Sequence, residues 1–266
     1  MTESLDPTRF VLILLAAFAG GVVNSIAGGG TLLTFPALLG LGVRPIVANA
    51  TSTVALWPGA LASIWGYRGE LTGAREWAKR WAIPSLLGGL AGAGLLLITP
   101  PERFDAIVPW LVIAATVLFT VQQPVMRALR SGRPAPSVDP VEPDPAARRA
   151  PGGALAYQFA VAVYGGYFGA GIGILMLAVL GYLGFSNIHR MNGLKNWGGL
   201  CINAAAAITF ALSSLVHWPV ALAMALGAVS GGYFGSRTAQ RVPQRYVRHA
   251  ITLIGFASGI WLFFRD

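Results

Sequence analysis

Eight apolar blocks, each close to the length that crosses a bilayer, place the strongest constraint on how this chain folds. A transmembrane helix needs about 20 mostly apolar residues. The blocks cover residues 10–26, 46–65, 81–98, 107–121, 152–168, 197–212, 218–234 and 249–264. Only 11% of the residues are charged, whereas soluble domains carry roughly a quarter. The sequence therefore predicts an all-α polytopic membrane protein with about eight full spans.

Unusual residues recur along the chain at one fixed spacing. This spacing is the distance along the sequence from Gly28 to Gly171, and it is called the repeat spacing below. Seven unusual positions match at this spacing without a gap. The matching pairs are Gly28 and Gly171, Gly30 and Gly173, Asn49 and Asn192, Gly88 and Gly231, Gly89 and Gly232, Gly92 and Gly235, and Pro100 and Pro243. Self-similarity at one spacing indicates a duplicated structural unit. We predict two transmembrane repeats, residues 1–126 and 152–266, with the same order of helices.

The segment between the repeats, residues 127–151, contains six prolines, mixed charge and no apolar periodicity. Such a composition cannot bury enough apolar surface to form a core. We therefore predict a flexible linker, and the distribution of basic residues places it on the cytoplasmic side.

Lysine and arginine are distributed unequally between matching loops of the two repeats. The loop predicted at 67–80 carries four basic residues, whereas its counterpart at 210–223 carries none. Conversely, four arginines lie between 237 and 248, while the matching region near Pro100 has only Arg103. Because basic loops favour the cytoplasm, equivalent loops are predicted to lie on opposite sides of the membrane, as in an inverted repeat. The same counting places both termini outside.

Each repeat is interrupted after its first helix by closely spaced glycines. They are Gly28, Gly29 and Gly30 in the first repeat, and Gly171 and Gly173 in the second. The apolar runs that follow, residues 31–41 and 174–183, are too short to span a bilayer core of about 30 Å. We predict broken or re-entrant half-helices, whose N termini at Thr31 and Ile174 expose backbone N–H groups that suit an anion. The alternative is that the glycines only allow helices to pack closely.

Polar side chains near these interruptions complete the predicted binding site. The candidates are Asn49, Thr51 and Ser52 in the first repeat, and Asn192 and Lys195 in the second. Polar groups in apolar helices are costly and tend to face the interior of the bundle. Further polar residues are explained as well by interhelical hydrogen bonds, namely Asn24, Ser25, Thr53, Asn196 and Asn203. Lys195 supplies the positive charge for an anion, and the alternative is a lysine that snorkels to the cytoplasmic interface.

Other kinds of site lack the residues they need. No carboxylate lies inside an apolar block, no His/Cys cluster has metal-ligand spacing, and no Ser–His–Asp set is available. The glycine run is neither a dinucleotide-binding fingerprint nor a Walker A motif. The net charge of +9 is better explained by cytoplasmic loops than by nucleic acid. We expect no metal, no cofactor and no catalytic residue, which argues against a membrane-embedded enzyme.

Two motifs carry a resemblance to a known family. The first, N-x-x-A-G-G-G-x-L-L-T-x-P-x-L-L-x-x-G from Asn24, is followed by A-N-A-T-S-T, and the second repeat has GAGIG and N-G-L-K-N. The chain resembles the sulfite exporter TauE/SafE family of bacterial membrane permeases. The positions that match are Gly28, Gly29, Gly30, Pro36, Thr51 and Ser52, with Asn192 and Lys195 in the second repeat. The pattern departs at Val179, which stands one repeat spacing after Pro36.

This resemblance implies a two-repeat transporter of sulfur-containing oxyanions, such as sulfite, sulfoacetate or other organosulfonates, in the bacterial inner membrane. We interpret the chain as a secondary transporter that exports a small anion by alternating access, with the lipid bilayer as its surroundings and a proton or sodium ion as a possible coupling ion. The alternatives are a passive anion channel and a transporter of another small organic anion.

Overall fold

The computed structural model describes residues 7–26, 28–72, 74–131, 151–185, 187–238 and 244–264. Within these ranges the chain forms ten α-helices and no strand, which confirms the predicted all-α class. The helices are α1 (Pro7–Ile26), α2 (Thr31–Gly40), α3 (Pro45–Thr72), α4 (Arg75–Ile98), α5 (Pro101–Ser131), α6 (Gly152–Tyr167), α7 (Ile172–Tyr182), α8 (Ile188–Ala211), α9 (Trp218–Thr238) and α10 (Gln244–Phe263). Both chain ends lie outside the described residues, so their side of the membrane stays a prediction.

Local sequence explains where several helices begin. Pro7, Pro45 and Pro101 occupy the first positions of α1, α3 and α5, where the missing N–H costs nothing and the fixed φ angle suits a helix. Asn187 caps α8, because its side-chain oxygen accepts hydrogen bonds from the backbone N–H of His189 at 2.9 Å and of Arg190 at 3.2 Å.

The order of helices is the same in both halves of the chain. The last three helices of the first half, α3, α4 and α5, begin one repeat spacing before α8, α9 and α10 respectively. Each half therefore contains one long helix, one short helix and three further long helices. The division into two repeats, residues 1–126 and 152–266, stays a prediction from the sequence.

The two halves pack on each other reciprocally through glycine. A Cβ atom on Gly88 of α4 would meet the backbone oxygen of Phe159 in α6, and one on Gly231 of α9 would meet that of Phe18 in α1. Small residues of this kind allow apolar helices to approach backbone to backbone. Each half thus buries the glycine-bearing face of its fourth helix against the first helix of the other half.

The short helices pack against the helices that precede them. A Cβ atom on Gly30, at the start of α2, would meet the backbone oxygen of Gly20 and lie 3.0 Å from Asn24 Cβ, and Thr34 further along α2 also lies beside Gly20. In the second half, Ile172 at the start of α7 lies beside Gly165 in α6. These contacts place each short helix against the helix before it, and the broken or re-entrant half-helices stay a prediction.

The second half-helix begins earlier than the sequence predicts. The expected start was Ile174, but α7 begins at Ile172, directly after Gly171 with φ of +82°. Because L side chains rarely adopt this left-handed conformation, glycine allows the chain to turn there and enter α7 two residues sooner. In the first half, Pro36 lies inside α2 without ending it.

Two predicted loop boundaries also change. Helix α3 extends to Thr72 and α4 begins at Arg75, so most of the loop predicted at 67–80 is helical. The 28 residues of α3 measure about 42 Å at about 1.5 Å per residue, which is longer than a bilayer core of about 30 Å. Helix α5 continues to Ser131, so the first five residues of the predicted linker 127–151 are helical. Residues 132–150 lie outside the described part of the chain.

Four of the described helices are long and apolar enough to cross a membrane. They are Pro7–Ile26, Arg75–Ile98, Pro101–Val121 and Trp218–Arg237. Large apolar side chains on their outer faces are exposed, for example Leu87, Ile98 and Leu222, which suits contact with lipid. Helices α3 and α8 carry most of the polar candidate residues. The count of eight spans and the inverted orientation stay predictions.

Candidate functional site

The two glycine interruptions touch each other near the centre of the molecule. Gly28 follows α1 with φ of +76°, and a Cβ atom on it would lie 2.7 Å from Gly173 Cα. A side chain at this position would both strain the backbone and push the start of α7 away. The predicted site residues Gly28 and Gly173 therefore form a direct contact between the two repeats.

Lys195 lies beside this contact and is enclosed by protein. Its side chain on α8 is only 2% exposed. The ammonium nitrogen donates hydrogen bonds to the backbone oxygens of Asn24 at 3.3 Å and Ser25 at 3.2 Å. These oxygens belong to the last turn of α1, where carbonyl groups lack partners within the helix. The lysine is thus directed into the protein and does not snorkel toward a membrane interface.

Asn196, the neighbour of Lys195, binds the same end of α1. Its side-chain nitrogen donates a hydrogen bond to the backbone oxygen of Ser25 at 3.2 Å. Two consecutive residues of α8 in the second repeat therefore hold the C-terminal end of a helix from the first repeat. This arrangement fixes the position of the Lys195 ammonium group relative to both glycine interruptions.

A small pocket opens at this point. Three of the predicted site residues line it, namely Gly28, Gly173 and Lys195. Its other lining residues are Asn24, Ala60, Ser63, Ile172, Met176, Asn196, Gly199 and Asn203. The cavity volume of about 20 Å³ is enough for about one water molecule. The pocket is therefore small and is lined by both polar and apolar residues.

The start of α7 faces the same pocket. Ile172 and Gly173 both line it, and the first backbone hydrogen bond of this turn runs from Ile174 N–H to Gly171 O at 3.0 Å. The first N–H groups of a helix have no partner within it and carry the positive end of its dipole. This end adds to the positive potential of Lys195.

The start of α2 does not line the pocket. A Cβ atom on Gly29 would lie 3.0 Å from the ring of Phe119, and one on Gly30 would meet the backbone oxygen of Gly20. Thr31, the first residue of α2, is half-buried and is also absent from the pocket lining. The two predicted helix N termini are thus unequal, since only that of α7 reaches the pocket.

The hydroxyl groups predicted for the site connect helices instead. Ser52 Oγ lies 2.6 Å from Thr34 Oγ1, which joins α3 to α2. Thr51 Oγ1 accepts a hydrogen bond from the backbone N–H of His217 at 3.0 Å, which joins α3 to the segment before α9. Both residues are fully buried and neither lines the pocket.

The two matched asparagines also lie away from the pocket. Asn49 donates from its side-chain nitrogen to the backbone oxygen of Tyr167 at 2.9 Å, which joins α3 to the end of α6. Asn192 is 9% exposed, and its side-chain oxygen has no hydrogen-bond partner among the described residues.

The predicted site residue Gly171 caps α7, and a Cβ atom on it would lie at an ordinary 3.7 Å from Ala115.

Several pocket residues were missed by the choice of site residues from sequence. Lys195, Gly199 and Asn203 follow each other at intervals of four on α8, and such spacing places side chains on one face of a helix. This spacing indicates that Asn203 lies on the same helix face as Lys195. From sequence alone, an interhelical hydrogen bond explains Asn203 equally well. Ser63 gives no such signal, because a single serine in an apolar helix is unremarkable.

The charge of Lys195 has no anionic partner within the described part of the chain. Its hydrogen bonds there go only to neutral carbonyl groups. A buried ammonium group is costly unless it is paired, so an uncompensated positive charge favours a bound anion. Among the described residues, no group of three His, Cys, Asp or Glu side chains is placed to hold a metal ion.

Comparison with known proteins places the chain in a family. The model of the family described as sulfite exporter TauE/SafE matches residues 12–262. A probable membrane transporter protein, ORF9 of Sinorhizobium sp, is 28% identical over 255 residues, covering 94% of this chain and 90% of that protein. The probable membrane transporter protein YfcA of Escherichia coli K12 is 27% identical over 258 residues, covering 94% and 88%.

A further relative, a probable membrane transporter protein of Haemophilus influenzae, is 25% identical over 249 residues, covering 92% of this chain and 91% of that protein. No solved structure matches the chain. The relatives are named as membrane transporters, in agreement with the expectation of a transporter. With a family match over nearly its whole length and several apolar helices, this multi-pass membrane protein is a transporter that belongs to the sulfite exporter TauE/SafE family.

Proposed function

We propose that the protein is a secondary transporter that exports a small sulfur-containing oxyanion, such as sulfite, sulfoacetate or a related organosulfonate, by alternating access. The observation that carries this proposal is the enclosed Lys195 ammonium group, which lines a pocket and has only carbonyl partners among the described residues. Family membership supports the class of substrate. The inner membrane of a bacterium is the proposed location.

The pocket offers a binding mode for an oxyanion. Lys195 supplies the charge, and the N–H groups at the start of α7 supply donors to oxygen atoms. Asn203 lines the same pocket and adds a hydrogen bond. Ser63 also lines it, but its hydroxyl already donates to the backbone oxygen of Gly59 at 3.0 Å. Thr51, Ser52 and Asn49 are assigned to holding the helices, because they lie outside the pocket and already bind helix partners.

The small volume of the pocket supports a carrier over an open pore. A cavity of about 20 Å³ holds about one water molecule, which is less than a sulfite ion needs. Binding therefore requires the walls to separate, and the contact between Gly28 and Gly173 lies where the two repeats would part. An opening that alternates between the two sides of this contact gives alternating access.

The membrane potential favours the outward direction. Moving one negative charge out of a cell with an inside-negative potential releases about 2.3 kcal/mol per 100 mV. Because the sequence contains no nucleotide-binding motif, this potential, the anion gradient or a coupled proton or sodium gradient supplies the energy.

The test compares the two lysines of the chain, Lys195 and Lys79. Lys79 is exposed and pairs with Glu76 at 2.8 Å, so Lys79→Met is a matched control for loss of charge. Sulfite and sulfoacetate are titrated against each purified variant, and counterflow is measured in proteoliposomes. We expect Lys195→Met to remain folded and lose both binding and counterflow, while Lys79→Met retains both. Unchanged affinity in Lys195→Met would overturn the proposed site.

Counterflow also separates a carrier from a passive channel. A carrier loaded with unlabelled anion accumulates labelled anion against its gradient, whereas a channel only equilibrates the two sides. Conductive sulfite flux without counterflow would indicate a passive channel and would contradict alternating access.

A further inference from the structure

A second group of polar side chains lies behind the pocket, between α4, α6 and α7. Trp81, Ser85 and Gln158 are each fully buried in otherwise apolar surroundings. Gln158 Nε2 donates to Ser85 Oγ at 2.8 Å, and Ser85 Oγ donates to the backbone oxygen of Trp81 at 2.6 Å. We call these three residues the α4–α6 cluster.

The cluster has unused hydrogen-bonding capacity. Trp81 Nε1, a donor, and Gln158 Oε1, an acceptor, are buried without a partner among the described residues. Buried polar atoms in this state are rare and call for a physical reason. Packing alone supplies none, because an apolar side chain of similar size would fill the same space without an unpaired atom.

The equivalent contact between α9 and α1 shows that the fold does not need these polar groups. Trp81 and Ser85 of α4 correspond to Met224 and Ala228 of α9 at the repeat spacing. Phe18 and Phe159 make the equivalent glycine contacts in α1 and α6, so Gln158 corresponds to Ala17. All three counterparts are apolar and equally buried. The same architecture is therefore built without any polar group at these positions.

Met176 of α7 separates the cluster from the Lys195 pocket. It lines the pocket, and its sulfur accepts a hydrogen bond from Gln158 Nε2 at 3.5 Å. A Cβ atom on Gly198 would lie 2.9 Å from Met176 Sδ and 2.7 Å from Trp81 Nε1. One methionine side chain thus stands between the two polar regions, and methionine is the most adaptable apolar side chain.

We propose that the α4–α6 cluster is a second contact point for the transported oxyanion, reached from the Lys195 pocket when the Met176 side chain moves aside. This inference rests on the proposed function, because it assigns a second position to the same substrate. The transport pathway then passes between the two repeats, on the side of α7 that faces α4 and α6.

The cluster can donate hydrogen bonds to anion oxygens once the side-chain amide of Gln158 rotates so that its oxygen and nitrogen exchange positions. The Ser85 hydroxyl both donates and accepts, so it can release the Trp81 backbone oxygen and donate to Gln158 Oε1. The amide nitrogen of Gln158 then faces the passage together with the Trp81 N–H group. Two neutral donors without a fixed charge bind an anion weakly enough to pass it on, whereas Lys195 holds it more firmly.

The test measures access to the cluster with a cysteine. Cys201 is the one cysteine of the chain, so Cys201→Ala gives a thiol-free background. Ser85→Cys is introduced there, and Ala228→Cys, its counterpart at the repeat spacing, is the matched control. Both proteins are checked for folding by size-exclusion chromatography and labelled in proteoliposomes with 2-sulfonatoethyl methanethiosulfonate, a small anionic thiol reagent.

We expect the cysteine at 85 to be labelled at least about tenfold faster than that at 228, because thiol reactivity requires access, and sulfoacetate to slow that labelling. Adding Met176→Ala should accelerate it further. Equal labelling at both positions, or labelling at 85 that sulfoacetate leaves unchanged, overturns the proposal. If Lys195→Met still loses binding while Lys79→Met does not, the proposed function stands and only the second contact point is lost.

Discussion

The two glycine interruptions occupy equivalent places in the chain but have taken different chemistry. In the first, α2 is tied to α3 by the hydrogen bond between Thr34 and Ser52 at 2.6 Å. In the second, Lys195 stands one repeat spacing after Ser52 and faces a pocket beside the start of α7. The first half uses these polar groups to join two helices, whereas the second half places the Lys195 ammonium group beside a pocket. Under the proposed function, the first half holds the helices and the second half binds the anion.

The largest effect is expected from a methyl group at the contact between the interruptions. Gly28→Ala forces alanine into φ of +76° and places Cβ 2.7 Å from Gly173 Cα. Strain and overpacking each cost about 1–3 kcal/mol. Gly171→Ala is the control, since it has the same strain but only an ordinary 3.7 Å contact with Ala115. In thermal unfolding in detergent, Gly28→Ala should be clearly less stable than Gly171→Ala. Equal losses of stability would show that the contact between Gly28 and Gly173 does not contribute.

The next effect is on binding. Lys195→Ser gives the second half the side chain that the first half has at the matching position. Hydrogen bonds to a charged group contribute about 1.5–3 kcal/mol, so anion affinity should fall by about 10- to 100-fold. The measurement is a sulfite titration by isothermal calorimetry. A serine variant that binds as tightly as the parent would show that the charge difference between the halves is irrelevant to binding.

A smaller effect, on stability and not on anion affinity, is expected in the first half. Ser52→Ala removes the link to Thr34 and should cost about 0.5–1.5 kcal/mol of stability without changing anion affinity. Thr53→Val is the control, because Thr53 bonds only within its own helix, to the backbone oxygen of Asn49 at 2.9 Å. Both are read by thermal unfolding and by titration; loss of affinity in Ser52→Ala would return this serine to the binding site.

The smallest effect is expected at Gly199, which lines the pocket. A Cβ atom there meets only Met176 Cε, at 3.9 Å, so Gly199→Ala fits. Alanine stabilises a helix relative to glycine by about 0.5–1 kcal/mol. Because the methyl group narrows the pocket, sulfoacetate should lose more affinity than the smaller sulfite in paired titrations. Equal losses for both anions would argue that the pocket widens fully before either binds.

Periodicity and glycine spacing predict most of the fold. Apolar blocks indicate the helices, and the repeat spacing matches the helix starts of α3 and α8, of α4 and α9, and of α5 and α10. The start of α7 was missed by two residues because a left-handed glycine leaves no mark in composition. The last turns of α3, up to Thr72, were missed because charged residues near a helix end resemble a loop in sequence.

The site was harder to predict than the fold. Lys195 is recognisable because a cation in an apolar helix is expensive. Its partners are not, because they are backbone oxygens of Asn24 and Ser25, and any residue carries such an oxygen. Ser52 and Asn49 are equally polar in sequence, but only the packing of α3 decides that they face other helices and not the pocket.

The reciprocal glycine contacts bear on how far each half depends on the other. Gly231 of α9 packs on Phe18 of α1, and Gly88 of α4 packs on Phe159 of α6, so each half covers bare backbone of the other. The halves nevertheless differ in sequence, since Lys195 stands one repeat spacing after Ser52. In a pair of identical subunits every side chain would occur twice, whereas one continuous chain can place a single lysine at this position.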